Sequence, residues 1–365
     1  MALRSGPSAL IAFLAHLIHA HPALCAGGTP VSLGMRGHYG FLWGHRSSSW
    51  ILVERHSAAW ELYAERAVNG ERAWHHSYLL PVHGIAILYT DLGSPTRIGS
   101  AVRVLPYLHL PLVRRPDTGF GLRAGWGIGL VTRPFDRIDN GKQIAIGSRV
   151  NTAIQLMAEY RRTQGRWTLS LGLGLDHWSN GAYRLPNLGL NYVSTSFGVG
   201  CRLGSEGPQP VLRTPPDTTD EQGEWRVVAA VGVNEADAPY SGQRSVYVLQ
   251  GLRQWKVSPR SGFSAGADVF NKGTLAVMHP DLAGRGRESL TQLGLHGGYT
   301  LFFGRGELFV QLGGYVHTPA PDRQALYQRI GVRIGSGRHL VWNMSLKSHS
   351  AVADHWEFGV GYRWN

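Results

Sequence analysis

The feature that most constrains the fold is a strict alternation of apolar residues with small or polar ones. Between positions 167 and 176 the apolar set is Trp167, Leu169, Leu171, Leu173 and Leu175. The intervening set is Thr168, Ser170, Gly172, Gly174 and Asp176. Residues two apart lie on the same face of a β-strand, whereas a helix would mix the two sets. The same alternation returns at the end of the chain, from Trp356 to Trp364. The sequence therefore predicts β-strands.

These strands have the pattern of membrane-spanning ones. An apolar face with aromatic residues at its ends, opposite a small or polar face, is typical of a lipid-facing strand around a polar lumen. Charged residues make up only 16% of the chain, and Tyr362-x-Trp364 resembles the aromatic final strand of outer-membrane proteins. After residue 26 no stretch offers the roughly 18 apolar residues of a membrane helix. We therefore expect an all-β, antiparallel transmembrane outer-membrane β-barrel. A soluble exported β-protein is the alternative.

The first 26 residues are predicted to be a secretory signal peptide. Arg4 supplies the positive start, residues 10–18 an apolar core, and residues 22–26 small side chains for cleavage. A buried N-terminal helix is the alternative interpretation. Cleavage would leave the barrel domain over 27–365 with one thiol, Cys201, which excludes an internal disulfide.

The alternation predicts sixteen strands in one barrel, with fourteen as the second choice. The Pro-rich connector 204–223 divides the chain into halves and leaves a second domain open, but alternation on both sides favours a single barrel. Short connectors such as 163–165 are expected on the periplasmic side, and long ones such as 132–148 outside. The strands are expected near 36–45, 51–66, 80–91, 99–114, 118–131, 149–162, 166–179, 188–203, 224–236, 243–256, 261–271, 289–303, 307–317, 325–335, 338–348 and 354–364.

Candidate catalytic residues concentrate in the segment 177–191. His177 and Ser179 share one face of the predicted strand, about 7 Å apart. A serine hydroxyl needs an adjacent base to act as a nucleophile, and imidazole is the usual base. Both residues continue the apolar face at its outer end. The sequence therefore predicts a nucleophile that meets a lipid in the outer leaflet.

The following strand supplies a third candidate. A hairpin centred near residue 184 would bring Asn191 opposite His177, where its amide can hold the imidazole ring. Asn180 and the backbone N–H groups near Gly181 are candidates for an oxyanion pocket.

The short motif His-x-Ser is not specific, because it also occurs at 45–47 and 75–77. The longer pattern over 177–191 is more specific and resembles a known family. The pattern His-x-Ser-Asn-Gly-x4-Pro-Asn-x-Gly-x-Asn, from His177 to Asn191, resembles the lipid A 3-O-deacylases, also called PagL-like proteins or acyloxyacyl hydrolases. The resemblance is strongest over 120–203. It implies an outer-membrane esterase that removes the ester-linked 3-hydroxyacyl chain of lipid A, with Ser179 as nucleophile, His177 as general base and Asn180 in the oxyanion hole. It implies no cofactor.

The chain departs from the family in two respects. The best-known members have a glutamate where this chain has Asn191, and they are eight-stranded barrels of about half this length. Asn191 can orient His177 but cannot stabilise the imidazolium by charge, so slower turnover is one expectation. A non-enzymatic channel or structural barrel is the alternative function.

Other ligands and partners are less strongly indicated. No metal is implied, although the loop carboxylates of Asp136 and Asp139 leave Ca²⁺ open. Lys347, His349 and Glu357 are expected to point into the lumen as a polar network rather than form a second site. The formal charge of +12 comes without a basic cluster interleaved with aromatics, so lipopolysaccharide rather than nucleic acid is the expected partner.

Overall fold

The computed structural model describes residues 30–44, 46–204, 212–213, 223–236, 238–320 and 324–364. The predicted signal peptide and most of the 204–223 connector lie outside the described residues. The chain separates into two compact units, each of which contains one closed barrel. Within the described ranges no helix has the length and apolar character needed to cross a membrane.

The first barrel has eight strands that each pair antiparallel with the next. β1 then closes the ring on β8, with Leu33 opposite Cys201. A short helix, α1 (Ala73–Ser77), and a 3-10 helix (Ser47–Leu52) lie in its connectors. The strands are β1 (Val31–Leu42), β2 (Ser57–Ala67), β3 (Val82–Thr90), β4 (Ala101–Arg114), β5 (Thr118–Val131), β6 (Val150–Gln164), β7 (Trp167–Ser179) and β8 (Leu190–Arg202).

The second barrel repeats this plan, and β16 closes on β9 with Val360 opposite Ala229. Its strands are β9 (Glu224–Asn234), β10 (Arg244–Lys256), β11 (Ser261–Lys272), β12 (Thr291–Phe303), β13 (Gly306–His317), β14 (Leu326–Ser336), β15 (Leu340–His349) and β16 (Val352–Trp364). The connector between β11 and β12 holds helix α2 (Leu275–Met278) and two 3-10 helices (Pro280–Leu282 and Arg287–Leu290).

The predicted all-β class and the count of sixteen antiparallel strands are confirmed, but the single barrel is wrong. The strands close as two rings of eight. Alternation reports which face of a strand meets lipid, and that face is the same in either arrangement. Whether β8 pairs with β1 or with β9 depends on long-range closure that no local pattern records.

Charged side chains fill both lumens. In the first barrel the carboxylate of Glu61 accepts hydrogen bonds from Arg103 (3.1 Å) and Arg123 (2.6 Å), and all three are buried. In the second barrel Arg329 donates to Glu357 at 2.7 Å. An eight-stranded barrel is just wide enough for its interior side chains to pack. Both interiors are therefore packed cores held by ion pairs.

The outer surfaces are apolar, as lipid-facing surfaces are. Leu171 and Leu173 of the first barrel are 57% and 60% exposed, and Leu295 and Leu312 of the second are 57% and 56% exposed. Leaving such side chains in water would cost about 25 cal/mol per Å² of apolar surface. Both barrels therefore present the exterior expected of membrane-spanning strands.

The long connectors of the first barrel gather at one end. They span 43–56, 91–100, 132–149 and 180–189, and the predicted long connector 132–148 matches the third of them. An apolar cluster closes the barrel at this end; it includes Leu52, Leu92, Ile98, Ile146 and Trp178. We call this end of the first barrel the loop end.

Candidate active site

The segment singled out from the sequence lies at the loop end of the first barrel. β7 ends at Ser179 and β8 begins at Leu190. Asp176 and Trp178 point inward and are buried, so the intervening His177 and the following Ser179 belong to the outward face. His177 is half-buried, and Ser179 is 6% exposed. The site is therefore on the lipid-facing surface, near its edge.

The imidazole of His177 is held by the neighbouring strand. The β7–β8 register places Asn191 directly opposite His177. Nδ1 of His177 lies 2.7 Å from Oδ1 of Asn191. An amide oxygen only accepts, so Nδ1 carries the proton and donates it. That tautomer leaves Nε2 as the nitrogen that can take up a proton.

The hydroxyl of Ser179 is bound by a residue of the β7–β8 connector. It donates to Oδ1 of Asn187 at 3.2 Å, and the backbone N–H of Asn180 donates to the same oxygen at 2.9 Å. The side chain of Asn187 thereby spans the connector and positions the end of β7. Its carbonyl end is engaged by these two donors, so its amide nitrogen is the end that can donate to a substrate.

The side chain of Asn180 is turned inward, away from the lipid-facing surface. It is 2% exposed, and its Nδ2 donates to Oγ of Ser148 at 2.9 Å. The hydroxyl of Ser148 is also 3.0 Å from Oδ1 of Asn151, at the start of β6. Three buried polar side chains therefore join the candidate site to the end of the 132–149 connector.

The backbone around the site takes conformations that few residues tolerate. Gly181 and Ala182 have φ values of 65° and 61°, and Gly189 has a φ of 79°. A Cβ at position 189 would lie 2.6 Å from Cε1 of His177, and the N–H of Gly189 donates to the carbonyl of Ala145 at 3.1 Å. Glycine at 189 thus allows the chain to pass close to the imidazole while it is bonded to the 132–149 connector.

Two family models match the chain, one in each barrel. The model for lipid A 3-O-deacylase (PagL) matches residues 58–200. The model for the C-terminal domain of acyloxyacyl hydrolase matches residues 223–365. Together they account for most of the chain.

The chain belongs to the PagL-like family.

The similarity of the chain to whole proteins is low. No curated protein matches. Among solved structures, a triple mutant of the Rhodopseudomonas blastica porin matches with a TM-score of 0.17 and 7% identity, covering 92% of this chain and 100% of that one. A further mutant of that porin matches with a TM-score of 0.18, 8% identity and the same coverage.

In this PagL-like protein the surroundings of the candidate site are apolar and lipid-facing. Across the β6–β7 register, Ile154 lies opposite His177 and Thr152 opposite Ser179. On the next strand, Trp126 lies opposite Ile154. Pairs directly opposite in neighbouring strands are about 5 Å apart. An acyl chain in the membrane would therefore meet an apolar surface beside the two candidate catalytic side chains.

Of the two loop carboxylates named as Ca²⁺ candidates, that of Asp136 has partners within the protein. Oδ1 of Asp136 accepts the backbone N–H groups of Ile138 (2.8 Å) and Asp139 (3.0 Å). The described residues contain no group of three or more His, Cys, Asp or Glu side chains placed to hold a metal ion. The carboxylate of Asp136 thus stabilises the turn of its own connector.

Sequence reasoning gave no role to two residues that contact the site. Asn187 stood within the motif, but its contact with Ser179 depends on how the connector folds back. Ser148 is 32 residues from Asn180 in sequence. Its presence beneath Asn180 follows from the path of the 132–149 connector, which the alternation of the strands does not describe.

The predicted lumenal position of three residues in the second barrel is confirmed. Lys347, His349 and Glu357 are all buried. Nζ of Lys347 donates to Oδ2 of Asp354 at 2.8 Å. The hydroxyl oxygen of Tyr315 lies 3.0 Å from Nε2 of His349. These side chains belong to the ion-paired core of that barrel.

Proposed function

We propose that this protein is an outer-membrane esterase that removes an ester-linked 3-hydroxyacyl chain from lipid A. The observation that carries the proposal is the hydrogen bond of 2.7 Å between Nδ1 of His177 and Oδ1 of Asn191. His177 lies two residues before Ser179 in β7, and both belong to the outward face of that strand. Membership of a lipid A deacylase family supports the substrate class. We further propose that the predicted signal peptide is cleaved and that the barrels lie in the bacterial outer membrane.

Ser179 is proposed as the nucleophile and His177 as the general base. The hydroxyl leaves Asn187 and donates to Nε2 of His177 as its oxygen attacks the ester carbonyl. The carbon–oxygen bond to the sugar then breaks, and the imidazolium returns its proton to the departing sugar oxygen. A water molecule, activated by the same imidazole, hydrolyses the acyl-serine and releases the fatty acid. The reaction needs no cofactor.

Asn191 is proposed to hold the ring in the reactive tautomer. Its oxygen keeps the proton on Nδ1, so Nε2 stays basic. The amide carries no charge, so it stabilises the imidazolium less than a carboxylate would. We therefore expect Asn191 to orient the imidazole correctly while the enzyme hydrolyses the ester at a moderate rate.

Asn187 is proposed as the main oxyanion donor. Its oxygen accepts from Ser179 and from the Asn180 backbone, which leaves Nδ2 to donate to the negative oxygen of the tetrahedral intermediate. Asn180 and Gly181 stay proposed for the oxyanion pocket through the backbone N–H groups of the turn beside Ser179. The side chain of Asn180, to which the resemblance gives this role, instead donates to Ser148. A single oxyanion donor contributes about 10²–10³ in rate.

The position of the site explains how it would select a lipid. Lipid A places its ester bonds just below the headgroup, and the candidate residues lie near the edge of the apolar outer surface of the barrel. A water-soluble ester would have to partition into the bilayer first. A passive channel is disfavoured, because buried ion pairs such as Arg103–Glu61 occupy the lumen.

The test is mass spectrometry of lipid A from cells that express the protein and from cells that do not. The proposed function predicts a new species lighter by one 3-hydroxyacyl group and the release of that free fatty acid. An unchanged lipid A spectrum, with folded protein present in the outer membrane, would reject the function in favour of a structural barrel.

A further inference from the structure

The middle of the β7–β8 connector belongs to a different compact unit from its two ends. Residues Gly181–Leu185, which we call the connector tip, form one unit with the second barrel, whereas Ser179 and Asn187 belong to the unit of the first barrel. Within its own unit the tip contacts the connector that joins β9 to β10, residues 235–243. The chain itself joins the tip to the candidate nucleophile, with one residue between them.

Glu235 is the centre of these contacts. Its backbone N–H donates to the carbonyl of Ala182 at 2.9 Å, and Oε2 of its carboxylate accepts the N–H of Leu185 at 2.7 Å. Oε1 accepts the N–H of Gly242, in its own connector, at 3.2 Å. The residue is 4% exposed, and a buried carboxylate is costly unless hydrogen bonds replace its water. In Glu235 these bonds tie the two connectors together.

Two further side chains of the β9–β10 connector hold the same tip. Nε2 of Gln243 donates to the carbonyl of Tyr183 at 2.9 Å. The guanidinium of Arg184 lies 5.3 Å from the ring centre of Tyr240, a distance at which a cation is attracted to the face of an aromatic ring. The β9–β10 connector therefore engages each of the four consecutive residues 182–185.

The turn that these contacts hold has a strained backbone. Ala182 has a φ of 61°, in the left-handed region that favours glycine. A residue with a side chain stays in such a conformation only where its surroundings fix it. Glu235 supplies two such constraints, one to the carbonyl of Ala182 and one to the N–H of Leu185. Loss of its carboxylate would therefore let the turn relax, together with the backbone N–H groups proposed for the oxyanion pocket.

We propose that Glu235 is a positioning residue for deacylation. It holds the connector tip in the conformation that directs the N–H groups beside Ser179 toward the oxyanion, and it makes no contact with the substrate. A displacement of about 1 Å in a catalytic group can lower a rate about 10²-fold, so a fixed support for this turn matters to the rate. The inference rests on the proposed function and gives the second barrel a part in the reaction, through its β9–β10 connector.

The test compares the steady-state kinetics of Glu235→Ala and Glu235→Gln in the full-length protein. Alanine removes both acceptor oxygens, so kcat should fall about 10- to 100-fold while KM is maintained. Glutamine keeps one acceptor oxygen and should restore part of the lost rate. An unchanged kcat in the alanine variant would overturn the proposal. A change confined to KM would also overturn it, because it would indicate a contact with the substrate.

Glu307→Ala is the matched control within the second barrel. Glu307 accepts hydrogen bonds of 2.6 and 2.7 Å from the buried Arg226, so its loss weakens the barrel. It lies at the start of β13, which runs in the same direction as β9, and hence at the opposite end of the barrel from the β9–β10 connector. This variant should keep its deacylation rate per folded protein. An equal fall of kcat in the alanine variants of Glu235 and Glu307 would overturn the proposal, because it would show a general effect of barrel stability.

Hydrogen–deuterium exchange of the same variants tests the support of the tip without catalysis. A peptide that contains Leu185 should exchange about tenfold faster in Glu235→Ala, because its N–H loses a charged acceptor, and at the original rate in Glu307→Ala. Unchanged exchange in Glu235→Ala would overturn the proposal whatever the rate of deacylation. Faster exchange in that variant, together with no deacylation by the unmodified protein, would reject the proposed function while upholding Glu235 as the support of the connector tip.

Discussion

Asn191 accepts a hydrogen bond from Nδ1 of His177 at 2.7 Å, from the position directly opposite on the neighbouring strand. The pair joins β7 to β8 on the outward face of the first barrel. Because an amide oxygen cannot donate, it fixes the imidazole tautomer as a carboxylate would. It differs from a carboxylate in carrying no charge to offset the imidazolium.

The hydrogen bond between His177 and Asn191 predicts different effects on the deacylation rate for two substitutions of Asn191. Asn191→Ala should lower the initial deacylation rate roughly 10- to 100-fold, because the ring loses its orienting partner while the nucleophile remains. Asn191→Glu should keep or raise the rate, because a carboxylate orients the ring and stabilises its positive form. The site lies near the edge of the membrane, where an added carboxylate costs little. Rates are compared at equal amounts of folded barrel. An alanine variant as fast as the unmodified protein would place the third catalytic member elsewhere.

Ser179→Ala should reduce deacylation by at least about 10³-fold without unfolding the barrel. The hydroxyl lies at the end of its strand and donates to Asn187 at 3.2 Å, and removing a hydroxyl at a strand end is expected to remove little stability. The measurements are the lipid A mass spectrum and the heat-dependent migration of the barrel in a denaturing gel. Continued release of the hydroxyacyl chain by the folded variant would exclude Ser179 as the nucleophile.

Two substitutions of Asn187 distinguish the role of its side-chain oxygen Oδ1 from that of its side-chain nitrogen Nδ2. Asn187→Asp retains an oxygen that can accept from Ser179 and the Asn180 backbone, but it lacks the amide donor. If Nδ2 stabilises the oxyanion, Asp and Ala should both lower kcat by about 10²–10³ with little change in KM. If Asn187 only positions the end of β7, the aspartate variant should be clearly more active than the alanine variant. Steady-state kinetics of the two variants decide between these roles.

The sequence predicts the local arrangement of the site better than its surroundings. Alternation assigns Leu171 and His177 to the outward face, and a hairpin of the right length places Asn191 opposite His177. These relationships depend only on strand period and pairing. The closure of β8 on β1 depends on contacts more than 150 residues apart, as between Leu33 and Cys201, and alternation is silent about it. Asn187 and Ser148 reach the site through irregular connectors, whose paths follow from packing at the loop end.

Ser148 is predicted to position the candidate site without touching substrate. Ser148→Ala would leave the buried Nδ2 of Asn180 and Oδ1 of Asn151 without their shared hydroxyl, which costs about 1–3 kcal/mol for buried polar groups. We expect kcat to fall several-fold while KM is maintained. Ser170→Ala is the matched control, since it removes another buried hydroxyl of the same barrel, in the strand that carries Ser179. Equal kinetic effects of the two variants would show that Ser148 contributes only general stability.

A comparison of alanine variants at Gly189 and Gly165 distinguishes the effect of backbone strain on activity from the effect of crowding the imidazole of His177. Gly189→Ala places a Cβ 2.6 Å from Cε1 of His177 at a φ of 79°, so the ring must move from its position against Asn191. Gly165→Ala introduces an alanine at a φ of 57° in the β6–β7 turn, where nothing lies within 4 Å of the added carbon. Both variants bear a left-handed backbone cost of about 1–2 kcal/mol. Only Gly189→Ala should lose most of its deacylation activity, measured as the initial rate at equal folded protein. If Gly165→Ala lost as much, strain in the barrel rather than displacement of His177 would account for the effect.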